Sequence, residues 1–424
     1  AAAPPSTCRA PAPVLAGNCA APRVDRGLQP GDRVSLWLFA LVSVSALWWT
    51  VQAVAIARAV RRLPRVADLP DVLLPAWPTL SVIVPARNEA AQLAAAARTK
   101  LAEGYPALEL VLVDDRSDDG TGELADRLAR ADPRITVVHV DVLPDGWLGK
   151  VHAMQRGLAC ARGERLLFSD ADVHLAPGTL ARLVAWAELT GVDHVAALPS
   201  VSARGPVLAP ALAGFFRLFC GLARLTAVAD PRSDAALGCG AFNLIRRSAL
   251  DRSPGLEWLR MEIGDDVALG LMLKRSGARQ AAVVGNRAIS LEFYPTFSAL
   301  VRALEKNGAT APAPLLLAGV VALVALELGF LLGLHPSAPP IALALALFTS
   351  ALAIATQAVT AGWLGLPRWP ALVPGLSILP LGWSVARAAA LAWRRGGVVW
   401  RGTFYPTAAI RAGMRLATPS ARAR

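Results

Sequence analysis

The sequence predicts an α/β domain with a mainly parallel sheet, set between apolar segments able to cross a membrane. Three observations carry this. Residues 79–310 alternate short β-branched runs with helix-like segments. Nearly uncharged stretches flank that region at 34–60 and 311–393. Of the 424 residues, 54% are hydrophobic, too many for an ordinary soluble enzyme. The formal charge of +12 is concentrated beside the apolar segments, with no Lys/Arg stripe interleaved with aromatics. Nucleic acid is therefore not the expected partner; lipid head groups and a phosphorylated substrate are. Five cysteines lie scattered without a C-x-x-C pair, so neither a zinc site nor a disulfide scaffold is indicated. Only Cys8 and Cys19 could pair, if their end of the chain lies outside the cell.

In chain order, residues 1–33 are rich in Ala and Pro and read as a disordered arm. Residues 34–60 form a transmembrane helix ending in Arg58, Arg61, Arg62 and Arg65, which places the α/β domain on the cytoplasmic side. In the domain, the first strand is expected over 80–84, the second over 108–113, and the third over 135–140, with a helix from 151 to 160. A fourth strand starts at Leu166 and runs on through Asp170-Ala171-Asp172, so that both carboxylates leave an extended backbone on one side. Such a pair suits a hard cation that keeps positions open for phosphate oxygens; the bland alternative is a solvated turn. A helix with Pro177 at its start comes next.

The apolar stretch 207–228 carries Arg217 and Arg224 seven residues apart, on one helix face, and reads as an amphipathic helix lying in the membrane interface, or else a core helix. Asp265 and Asp266 head a helix over 267–275. Three further apolar stretches, 314–334, 341–364 and 371–393, could each cross a membrane. The basic tail 394–424 belongs inside, so one stretch, the last, is expected to be re-entrant or interfacial.

Several motifs have rival readings. Asp115 to Asp126 has the spacing of a calcium loop, but a β-run precedes it where a helix is needed. Ser117 stands where a phosphatase nucleophile would be. Lys150 after Gly149 at a helix start is either a phosphate contact or a surface lysine. His152 and His174 are candidate metal ligands, weighed against the structural role isolated histidines usually have. No G-x-G-x-x-G comes after the first strand, which removes a dinucleotide-dependent oxidoreductase.

Ser81-Val82-Ile83-Val84-Pro85-Ala86-Arg87-Asn88-Glu89, the run from Val113 to Thr121, Gly146-Trp147-Leu148-Gly149-Lys150, Asp170-Ala171-Asp172 and Asp265-Asp266-Val267-Ala268-Leu269 come in this order. Together they resemble the membrane-bound family 2 glycosyltransferases of the GT-A fold, most similarly the hopanoid- and carotenoid-associated branch. The resemblance implies an inverting transfer of a sugar from a nucleotide-diphosphate donor, a UDP-sugar, to a lipid or isoprenoid acceptor at the bacterial inner membrane. By position it implies donor contacts from Glu89, Asp115, Lys150 and Asp170. It implies a Mg²⁺ or Mn²⁺ ion on Asp172 with Asp170, a general base at Asp266 beside Asp265, and Gly238-Cys239-Gly240 under the acceptor. The alternatives are a non-catalytic sugar-nucleotide-binding scaffold and a polysaccharide synthase. Processive members carry Gln-x-x-Arg-Trp where this chain has Arg302 to Asn307, which counts against a polymer product.

Overall fold

The computed structural model describes residues 2, 3 and 30–416. Most of the arm expected over 1–33, including Cys8 and Cys19, and the tail arginines Arg422 and Arg424 lie outside the described residues. The chain opens with α1 (Pro30–Arg62) and enters β1 (Leu80–Ala86), α2 (Ala90–Leu101), β2 (Leu108–Asp115), α3 (Thr121–Ala131), β3 (Ile135–Val140) and α4 (Gly149–Cys160). It continues through β4 (Arg165–Phe168), β5 (His174–Leu175), α5 (Thr179–Thr190), β6 (His194–Ser202), α6 (Leu208–Leu222), β7 (Asn243–Arg246) and α7 (Arg247–Asp251). Then come α8 (Asp265–Arg275), β8 (Gln280–Glu292), α9 (Phe297–Leu304), α10 (Ala313–Leu328), α11 (Pro340–Leu364) and α12 (Ile378–Arg395). A hairpin of β9 (Gly397–Trp400) and β10 (Thr403–Pro406) leads to α13 (Thr407–Gly413).

Eight strands form one mixed sheet in the order β3-β2-β1-β4-β7-β6-β8-β5. The first three expected strands are present and parallel to one another. β1 and β2 read as nearly continuous apolar runs because the sheet is covered on both faces there, whereas β3, at the edge, leaves Thr136 and His139 exposed. Val82, Val84, Leu110 and Leu112 feed one core; Ile83, Val111 and Val113 feed the other. The resulting mixed α/β sheet is the expected GT-A architecture.

Two local expectations are corrected. β4 stops at Phe168, so Asp170 and Asp172 stand on a turn rather than on one side of a continuing strand. The cause is a change of partner: Ser169 N–H still donates to the Ile83 carbonyl (3.1 Å), but Asp170 N–H donates to Gly240 (3.0 Å). The helix at 207–228 ends at Leu222, and Arg224 takes a left-handed conformation off its end, so Arg217 and Arg224 share no face. Arg217 is wholly buried and paired with Glu327 of α10 at 2.6 Å, with its guanidinium 4.3 Å above the Trp49 ring of α1. Glu327 also accepts the Trp48 indole N–H at 2.8 Å.

Among the described residues three helices are long and apolar enough to cross a membrane: Ser35–Arg62, Ala313–Leu334 and Pro340–Leu364. α12 is not among them; it carries Arg387, which pairs with Glu305 at 2.5 Å. Up to residue 416 the basic tail is folded. Its hairpin turns at Arg401-Gly402, both with positive φ (46° and 80°), as a two-residue hairpin loop requires. Val398, Tyr405 and Ile410 anchor it in the core beside α4 and α8.

Candidate active site

Beyond the carboxyl ends of β1, β2 and β4, where open α/β sheets bind their ligands, lies a cavity of about 1140 Å³. Glu89, Asp115, Lys150, Asp170, Asp172, Gly238, Cys239, Gly240, Asp265 and Asp266 all line it. They come from distant parts of the chain, and each is placed by the element that ends or begins at it. Neither His174 nor His152 lines the cavity: His174 sits on the short edge strand β5, and His152 meets the Trp147 ring edge-on.

Glu89 comes after β1 in a turn braced by the loop beyond β2. Ser117 Oγ accepts Asn88 N–H (3.0 Å), Thr121 Oγ1 accepts Glu89 N–H (2.9 Å), and Asp119 accepts Ala90 N–H (3.1 Å). The Ser-x-Asp-x-Thr spacing is therefore spent on backbone N–H groups, the physical reason it makes no calcium loop. Asp115, almost wholly buried at the end of β2, pairs with Arg116 at 2.8 Å. A Cβ at Gly149 would stand 2.5 Å from the Asp115 carboxylate, so only glycine lets the first turn of α4 come this close. That turn sends Lys150 Nζ to 2.7 Å from Asp170 and 3.5 Å from Asp265.

The glycine loop between α6 and β7 is tightly fitted. A Cβ at Gly240 would meet Asp170 Oδ2 at 2.7 Å, and one at Gly238 would overlap the Asp266 carbonyl outright. Gly240 N–H donates to Asp266 Oδ2 (3.0 Å), and Val267 N–H to Asp266 Oδ1 (2.8 Å). The two acids at the head of α8 thus face different partners, Asp265 towards Lys150 and Asp266 towards the glycine loop.

The charges in this cavity shift one another. Burial raises Asp172 to about 7, reinforced by the carboxylates of Asp170 and Glu89. Burial also pushes Glu89 up, against the pull of Arg401. At Asp170 burial is outweighed by Lys150, which holds this acid below its ordinary range. At Lys150 burial is outweighed in turn by Asp170, Asp265 and Asp266, which keep the ammonium charged. Asp266 is pushed up by burial and then by Asp265, so its first-turn position on α8 does not leave it an ordinary, weakly basic aspartate.

Among the described residues no group of three or more His, Cys, Asp or Glu side chains forms a metal cage. The donor set that is present, Asp170 and Asp172, consists of hard oxygen ligands, Asp170 held ionised by Lys150 and Asp172 raised by burial and then by its carboxylate neighbours. It fits a divalent cation that takes its remaining ligands from phosphate and water.

Sequence reasoning missed several residues. Lys100, buried in α2, donates to the Val173 carbonyl at 2.5 Å and ties down the turn that carries Asp172; only its burial distinguishes it from a surface lysine. The C-terminal hairpin reaches the cavity as well. Arg401 lies 3.3 Å from Glu89 and donates to the Arg87 carbonyl at 3.0 Å, while Lys306 Nζ sits 4.5 Å above the Trp400 ring.

Residues 81–253 match the family described as Glycosyl transferase family 2. Among characterised relatives, glycosyltransferase AglD of Haloferax volcanii is 36% identical over 99 residues, 22% of this chain and 15% of that protein. A 4,4′-diaponeurosporenoate glycosyltransferase of Staphylococcus haemolyticus is 33% identical over 97 residues, 23% of this chain and 25% of that protein. The matched stretches thus span a quarter or less of these relatives' lengths. A mannosyltransferase of Pyrobaculum calidifontis, solved in complex with GDP-Man and Mn²⁺, superposes with a TM-score of 0.47 at 22% identity, covering 84% of this chain and 98% of its own. Residues 81–253 thus resemble glycosyl transferase family 2, and among the described residues three helices outside that stretch are long and apolar enough to cross a membrane.

Proposed function

We propose that the chain is an inverting glycosyltransferase that moves a sugar from a nucleotide-diphosphate donor to a lipid acceptor at a membrane. The observation that carries this is the gathering, in one cavity of a domain resembling family 2, of every ionisable group such a transfer needs. Asp266 takes the proton of the acceptor hydroxyl as that oxygen bonds to the anomeric carbon. The bond from that carbon to the phosphate oxygen breaks on the opposite face, and the diphosphate leaves with the electron pair. Lys150 supplies positive charge on the donor side, and Glu89 and Asp115 accept hydrogen bonds from the base and ribose of the nucleotide. A Mg²⁺ or Mn²⁺ ion on Asp172 and Asp170 would neutralise charge on the departing diphosphate. The name of the staphylococcal relative, a carotenoid-acid glycosyltransferase, supports the lipid acceptor.

The test is transfer of radiolabelled sugar from UDP- and GDP-sugars into the organic-extractable lipid of membranes holding the full chain. Label should appear in lipid with one donor and vanish in chelator. Donor binding without any transfer or hydrolysis would instead leave a non-catalytic scaffold.

Asp172 gives a pH dependence with a defined sign. Metal binding needs its carboxylate, and a proton competes for it below about 7. Calorimetric Mn²⁺ affinity should therefore fall about tenfold per pH unit as pH drops below that value. A flat profile there would remove Asp172 from the ligand set.

We further propose that the domain and residues 397–416 lie together in the cytoplasm of a bacterium. Contact of Arg401 with Glu89 supports a single side for both, with α10 and α11 as a there-and-back pair. Cysteines introduced at exposed sites of either region should resist an impermeant thiol reagent in intact cells; labelling of the tail from outside would overturn this arrangement.

A further inference from the structure

The two acids at the head of α8 follow a loop that the far end of the chain holds from outside the cavity. Glu262, fully buried in that loop, shares its carboxylate between two partners. Oε1 accepts Gly264 N–H at 3.2 Å, within the loop itself. Oε2 accepts the backbone N–H groups of Arg415 (2.6 Å) and Leu416 (3.1 Å), 153 and 154 positions later in the chain. One carboxylate thus ties the residue before α8 to the segment after α13.

Packing repeats the tie. A Cβ at Gly413 would stand 2.2 Å from Met261 Cβ, so only glycine lets α13 end so close to the loop. A Cβ at Gly264 would meet Leu416 Cδ1 at 2.9 Å. The C-terminal segment is itself held in place: Arg411 donates to the carbonyls of Ala309 (3.0 Å) and Ala311 (2.7 Å), just ahead of α10. Lys306 Nζ, in turn, donates to the Ile263 carbonyl of the loop at 3.3 Å.

What the tie fixes is the first turn of α8. Gly264 gives its N–H to Glu262, and its carbonyl accepts Ala268 N–H at 2.9 Å. Asp265 and Asp266 are the next two residues, and successive helical residues point about 100° apart. A small rotation of this turn therefore swings both carboxylates, Asp265 away from Lys150 and Asp266 away from Gly240. Neither Glu262 nor residues 413–416 line the cavity, so they reach the chemistry only through those two acids. Burying a carboxylate is costly, and anchoring a chain end does not require one, since Ile410 already buries an apolar anchor in the core.

We propose that Glu262 is a positioning residue: by clasping the C-terminal segment it fixes the first turn of α8 and holds Asp266 in line with the acceptor oxygen. Residues 411–416 are then a working part of the site, although none of them touches it. The role of Asp266 rests on the glycosyl-transfer reading above; the tie itself does not.

The test uses the full chain in lipid nanodiscs and two variants. Glu262→Gln keeps the volume but sets an NH₂ group against one of the backbone donors, so one side of the tie must let go. Leu416→Pro removes a tail N–H and leaves the loop and both acids unchanged. Calorimetric titration with UDP- and GDP-sugars should give the same number of sites and an affinity within about twofold for both variants. The single-turnover rate of transfer into membrane lipid should fall about 10–10²-fold. Amide hydrogen exchange at residues 264–268 should quicken about tenfold, with β1 and β2 unchanged as the control for folding. A rate that falls only in step with the number of donor sites would make Glu262 an ordinary stabilising residue and overturn the proposal. Full turnover, or unchanged exchange at 264–268 in the folded variants, would overturn it as well. Faster exchange in both variants of a protein that transfers no sugar from either donor would uphold the tie and end the glycosyl-transfer reading instead.

Discussion

Replacing Asp266 by Asn should lower turnover about 10²–10⁴-fold while leaving donor affinity and fold in place. The carboxylate has two structural duties, accepting Gly240 N–H and Val267 N–H. Asn keeps one acceptor oxygen, so the loss to stability is about 1 kcal/mol, the worth of one ordinary hydrogen bond. What Asn cannot do is take a proton. Asp266 suits that task better than an exposed aspartate, because burial and the charge of Asp265 raise its proton affinity. The acceptor hydroxyl becomes acidic only as its oxygen bonds to carbon, so the base matters in the transition state and not in donor binding. Asp265→Asn should behave differently. Its carboxylate faces Lys150 at 3.5 Å and raises the proton affinity of Asp266, so its loss weakens the base without removing it and lowers kcat less than Asp266→Asn does. If both acids serve only to cap α8, either change costs about 1 kcal/mol of stability and little turnover. Donor titration by calorimetry and single-turnover transfer rates separate these outcomes. A fully active Asp266→Asn would refute the assignment of the base.

Glu327→Leu alone should cost about 3–5 kcal/mol of stability, enough to abolish accumulation of folded protein. The change leaves the Arg217 guanidinium, fully buried in α6, without its carboxylate partner. It also removes the acceptor of the Trp48 indole N–H. Arg217→Met alone should do comparable damage by leaving the Glu327 carboxylate buried and uncompensated. The double change, Arg217→Met with Glu327→Leu, should recover most of the loss, because a well-packed apolar pair of similar volume can replace a buried ion pair at little net cost. Thermal unfolding of the three variants in one detergent measures this directly. Additive damage in the double variant would mean that the pair does not act as a unit.

The sequence alone determined the parts whose signal is local. The strands at 80–84 and 108–113 were legible because a sheet covered on both faces is apolar at nearly every position, and the edge strand at 135–140 because buried β-branched residues alternate there with exposed Thr136 and His139. The carboxylates and glycines that line the cavity were legible because such groups stand at the ends of strands and heads of helices, where apolar runs visibly stop. The tertiary structure decided what depends on distant partners. The turn at Asp170 to Asp172 exists because Asp170 N–H turns aside to Gly240, some 70 residues later in the chain. Arg217 is tolerable among apolar helices only because Glu327 reaches it from α10, a pairing across 110 residues that no periodicity records. Arg401 reads as one more basic residue of a tail until a tight hairpin brings it to Glu89, 312 positions away. Local pattern reports how a segment folds on itself; which charges meet is set by loop closures and packing that appear only once the chain is assembled.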